Sequence, residues 1–86
     1  MIVEFLPAAD REFREATRYY EARAPGLGHE FIAELEHMRS ILDSMHRSLV
    51  LRRFPFALIY RIDPTAVRIV AVAHKRRKPG YWRARR

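Results

Sequence analysis

The sequence predicts an α+β fold: a helical hairpin packed on one face of a small, mostly antiparallel sheet, in the order β-α-α-β-β-β. Three observations carry that expectation. Apolar residues recur at helical spacing in two segments of the first half, a proline-glycine break separates those segments, and the second half holds short β-branched and aromatic runs. At 86 residues the chain reads as a single domain over 1–86. A chain of this size buries only about 60% of its unfolded surface, so a partner would add useful stability.

Ile2 to Leu6 is a short apolar run stopped by Pro7, as expected of an edge strand. Ala9, Phe13, Ala16 and Tyr20 then recur at spacings of four, three and four, one apolar helix face. Either Pro7 or Asp10 can begin this helix. Ala24-Pro25-Gly26-Leu27-Gly28 breaks the pattern and folds the next helix back antiparallel. That second helix is expected over roughly His29–Ser44, with Phe31, Leu35, Met38, Leu42 and Met45 in its stripe. The stripe reads as hairpin core and needs no cofactor. Ser48 to Phe54 reads as a strand, Pro55 as a bend, and Phe56 to Ile62 as the next strand. Asp63-Pro64-Thr65 is a turn by composition. Ala66 to Ala73 is apolar on both faces apart from Arg68, as a central strand would be.

Composition narrows the function classes. The absence of cysteine excludes disulfides and thiolate metal sites. His29, His37 and His46 lack ligand spacing to carboxylates, so no metal site is expected. No apolar run reaches the roughly 18 residues of a membrane helix, and the N-terminus is unlike a signal peptide. A soluble, cytoplasmic protein is expected. The net charge of +7 is unevenly spread. Up to His46 nine acids face five arginines, a balance of −4, whereas from Arg47 one acid faces twelve cations, a balance of +11. Such asymmetry points to an anionic partner, nucleic acid or acidic protein.

The residues Arg53-Phe54-Pro55-Phe56-Ala57-Leu58-Ile59-Tyr60-Arg61 resemble the RxFPYxIxYR stretch of the RelE/ParE superfamily of type II toxins from toxin–antitoxin and plasmid-stabilisation systems. The run from Ile69 to Trp82, with His74, Arg76, Arg77, Pro79 and Trp82 in an H-x-R-R-x-P-x-x-W pattern, resembles that superfamily's closing strand and tail. The Pro-Gly-Leu-Gly turn after Tyr19-Tyr20 is similar as well. The likeness spans nearly the whole chain, and the FPF spelling and AVAH-type tail look more like the ParE branch. It departs at one point: similar members carry a longer, proline-containing loop where Ser44-Met45-His46 here leads almost directly to Arg47.

The resemblance implies a small antitoxin with an acidic segment as partner, a toxin–antitoxin hetero-oligomer, no cofactor, and either of two targets. A ParE-like toxin inhibits DNA gyrase by protein–protein contact; a RelE-like toxin cleaves messenger RNA on the ribosome. A non-toxic basic nucleic-acid-binding module is a third reading. Cleavage through a 2′-hydroxyl needs proton-transfer groups and cations on the phosphate. His74 and Tyr81 are the candidates for the former, Arg61, Arg76 and Arg77 for the latter. Lys75, Arg76, Arg77 and Lys78 form a candidate nucleic-acid- or anion-binding run. Phe13, Tyr20, Phe31, Leu35 and Trp82 are candidates for holding a partner along the hairpin, and an open sheet edge offers a second docking surface.

Overall fold

The computed structural model describes residues 2–42 and 47–85. It contains β1 (Ile2–Phe5), α1 (Pro7–Arg23), α2 (Leu27–Ser40), β2 (Ser48–Val50), β3 (Phe56–Ile62) and β4 (Ala66–His74). The order is the expected β-α-α-β-β-β. The strands lie in the sheet as β1-β4-β3-β2. β4 is therefore central and β1 an edge, parallel to β4, while β4–β3 and β3–β2 are antiparallel. The shortened stretch Ser44-Met45-His46, and Met45 of the expected helical stripe, lie outside the described residues.

Pro7 opens α1 at its first turn, where its missing N–H costs nothing, and Leu6 precedes it in extended conformation. α2 begins two residues before the expected His29 and ends at Ser40, four short of the expected Ser44. Gly26 adopts φ +86°, and the Glu21 carboxylate accepts the amides of Gly26 and Gly28 at 3.0 Å each, so the turn is built by α1 itself. Gly28 also sets how closely the helices meet. A Cβ there would stand 2.8 Å from the Thr17 carbonyl and 2.9 Å from Glu21 Cβ. Gly28→Ala is expected to force the hairpin apart and cost about 1–3 kcal/mol, read as a lower thermal midpoint.

β2 ends at Val50, four residues short of the expected Phe54. The cause is local. Glu34 on α2 accepts the amides of Arg52 and Arg53, the latter at 3.2 Å, which diverts them from a ladder. Leu51 and Phe54 then turn inward as core residues, and Pro55, with no amide to donate, marks the bend before β3.

The core lies between the hairpin and one sheet face. Phe31 and Leu35 are wholly buried, as are Leu58, Ile69 and Ala71 from the sheet. Phe31 is the hub of an aromatic cluster, with ring centroids 5.1 Å from Phe54, 5.3 Å from Tyr20, 5.4 Å from Phe56 and 6.1 Å from Phe13. All four pairs are tilted or edge-to-face, geometries that contribute about 0.5–1.5 kcal/mol each beyond burial. All of β4 from Ala66 to Ala73 is buried except Arg68, which pairs with Glu4 and, at 2.9 Å, with Asp63. This apolar strand runs without a linker into His74 and the cationic tail.

Candidate functional site

The site is built where β4 outruns its neighbour. β1 pairs only with Ala66 to Ile69, and its last bond runs from the Leu6 amide to the Ile69 carbonyl. On the other side Ile59 opposes Ala71 while Tyr60 opposes Ile69, so Val70 is an extra residue, a β-bulge. Beyond Ile69 the edge of β4 would present bare backbone groups. Side chains occupy them instead: Glu12 of α1 accepts the Val72 amide at 3.0 Å, and Arg85 donates to the Val70 carbonyl at 3.0 Å.

Glu12 gathers the C-terminal tail around itself. After β4 the chain turns twice, with Gly80 at φ +80°, and returns toward α1. The Tyr81 hydroxyl donates to Glu12 at 2.5 Å, and Arg85 meets the same carboxylate at 2.7 and 2.9 Å. Arg77 stands 3.7 Å from it and lies over the Tyr81 ring at 3.8 Å. Trp82 meets the Tyr81 ring edge-to-face at 5.3 Å and is partly buried against the core. The Glu12 side chain is only 13% exposed. Burial pushes its carboxyl up, but the bonds from Arg85, Tyr81 and the Val72 amide outweigh this and hold it below the usual carboxylate range. Tyr81 moves the other way: burial and the Glu12 hydrogen bond push its phenol up to about 12.

Two signs follow for pH dependence. A depressed Glu12 contributes stability that is present above its unfolded value near 4.5 and lost as pH falls through the lower folded value. Raised Tyr81 contributes stability present below its unfolded value of 10.0 and lost as pH rises toward about 12. Trp82 is the chain's one tryptophan. Its emission is expected to stay constant between these limits and to shift red at each end as the tail leaves α1.

Beside the tail, α1 and the end of β4 enclose an open cleft of about 460 Å³, walled by Glu15, Tyr19, Tyr20, Phe56, His74 and Tyr81. The proposed catalytic residues are only partly assembled here. His74 and Tyr81 both line the cleft, with Arg77 beside them. Nδ1 of His74 accepts the Arg76 amide at 3.0 Å, and its ring meets Phe56 edge-on at 5.0 Å. Arg76 is exposed on the following turn. Arg61 lies elsewhere: Phe56 opposes His74, whereas Arg61 is five residues further along β3, roughly 16 Å away. There it opposes Arg68 and stands 3.5 Å from Asp63.

Of the partner-binding candidates, Phe13, Tyr20 and Trp82 are half-buried, but Phe31 and Leu35 have no exposed surface. Those two shape the hairpin from beneath. Lys75, Arg76, Arg77 and Lys78 are all exposed. Among the described residues no group of three His, Asp or Glu is arranged to hold a metal ion, and no helix is long and apolar enough to cross a membrane.

Glu12 is the residue that sequence reasoning missed. Its signal was present: it stands three residues after Ala9 and four before Ala16, inside the apolar stripe of α1. An acid in such a position demands a partner.

A strand, a helical hairpin and three further strands thus close in a cationic tail docked on α1. The family model for the ParE toxin of type II toxin-antitoxin system, parDE, matches residues 3–79, and the chain belongs to that family. A cognate antitoxin is accordingly its partner. A chain of the chromosomal ParDE TA system from P. aeruginosa has a similar fold, with a TM-score of 0.75 at 14% identity over 86% of this chain and 95% of that one. No curated protein matches the chain.

Proposed function

We propose that the protein acts in the cytoplasm as a ParE-like toxin that inhibits DNA gyrase by protein–protein contact when its antitoxin is absent. The observation that carries this reading is the engagement of Tyr81. A nuclease reading asks Tyr81 or His74 to move protons beside clustered cations. The Tyr81 hydroxyl is instead spent as a donor to Glu12, at 2.5 Å, on a carboxylate it shares with Arg85, so it is not free to take a proton from a substrate. Arg61 is at the far end of β3 from His74. Membership of the ParE branch supports the same reading.

The test is pulse labelling after tightly controlled induction, following DNA and protein synthesis separately. DNA synthesis is expected to fall first, with broken chromosomes. An early fall in protein synthesis while DNA synthesis continues would overturn the reading in favour of messenger RNA cleavage. His74→Ala is expected to remain toxic.

A further inference from the structure

Glu12 sorts the cations of the tail into two sets. Between residues 75 and 85 the chain carries Lys75, Arg76, Arg77, Lys78, Arg83 and Arg85. Arg77 and Arg85 are committed to Glu12. Lys75, Arg76, Lys78 and Arg83 are exposed, and no acidic side chain pairs with any of them among the described residues. Their backbone is fixed. The Lys75 amide donates to the Pro55 carbonyl at 2.9 Å, the Arg76 amide to His74 Nδ1 at 3.0 Å, and the Arg83 amide to the Gly80 carbonyl at 3.0 Å. Arg83 also packs back over the turn, its Nε 2.8 Å from where a Cβ on Gly80 would lie.

We propose that Lys75, Arg76, Lys78 and Arg83 form a preorganised contact for the phosphate backbone of duplex DNA. Cations carried on an ordered backbone and lacking intramolecular acids can release counterions from a polyanion without the ordering cost of a frayed tail. The aromatic groups argue for a duplex over a single strand. Single strands are held by stacking their bases on exposed rings, but Tyr81 is covered by Arg77 and Trp82, and Trp82 is half-buried. The set also differs from the contiguous cationic run in the sequence, because Arg77 leaves it and Arg83 joins. The choice of DNA over RNA duplex rests on the gyrase reading; the contact itself does not.

The test uses the full-length protein, without gyrase, and a fluorescein-labelled 20-base-pair DNA duplex followed by anisotropy across a potassium chloride series. Four phosphate contacts predict a slope of about −3.6 in log affinity against log salt, a loss of roughly 150-fold between 50 and 200 mM. The quadruple variant K75Q/R76Q/K78Q/R83Q is expected to lose most of that slope. A control, R11Q/R14Q/R18Q/R23Q on α1, removes the same charge and should keep it. Equal loss in both variants would reduce the effect to net charge and overturn the site. So would tighter binding of the labelled single strand or of poly-L-glutamate. Equal binding of an RNA duplex would overturn the choice of DNA alone. Because gyrase is absent, this result stands apart from the outcome of pulse labelling.

Discussion

Glu12→Ala is expected to release the C-terminal tail and lower stability by about 3 kcal/mol, because it strands a hydroxyl, a strand amide and a guanidinium that share one mostly buried carboxylate. For a domain of this size that corresponds to a thermal midpoint lower by roughly 12–24 °C. Two consequences separate the effect from general unfolding. The emission of Trp82 should shift red at temperatures where far-UV circular dichroism is still native, since α1 and the sheet keep their own core. Amide exchange should rise at Val72 and from Arg77 to Arg85 before it rises in β3. Glu12→Gln should fall between wild type and alanine. It can still accept one hydrogen bond but brings no charge to Arg85. Wild-type emission and midpoint in both variants would mean that the tail is held by Trp82 packing alone.

Phe31→Ala should cost more, about 3–5 kcal/mol, and leave a large fraction of the chain unfolded at 37 °C. Phe31 is wholly buried and touches rings from α1, from the bend before β3 and from β3 itself. Its removal therefore opens a cavity at the joint between hairpin and sheet. A total stability of 5–15 kcal/mol is usual for small domains, so the loss is a large share of what is available. Phe31→Leu, which refills part of the space, is expected to recover roughly half. Thermal denaturation of the two variants beside wild type decides it. A Phe31→Ala midpoint within a few degrees of wild type would show that the cluster collapses to fill the gap.

The fold was legible because each element carries its own period. The four-three-four stripes of α1 and α2, the Pro-Gly break, and the doubly apolar run of β4 specify what packs where. Boundaries failed where side chains from outside the element decide them. Glu34 ends β2 by taking the amides of Arg52 and Arg53, and Glu21 starts α2 by taking those of Gly26 and Gly28. The parallel pairing of β1 was not foreseen individually, since a four-residue strand has no signal for direction. The site was half legible. His74, Arg77 and Tyr81 come together as their nearness in sequence suggests, whereas Arg61 faces the opposite end of the sheet. Glu12 was passed over because its partners lie 60 to 73 residues away. No local pattern encodes such a separation.

The most direct measurement is a supercoiling assay with purified gyrase and relaxed plasmid, using the folded wild-type toxin and the His74→Ala/Tyr81→Phe variant. Inhibition by both proteins, relieved by the cognate antitoxin, is the expected result, because a contact surface needs neither proton-transfer group. The contradicting result is undisturbed gyrase together with messenger RNA cut on purified ribosomes by wild type and not by the variant.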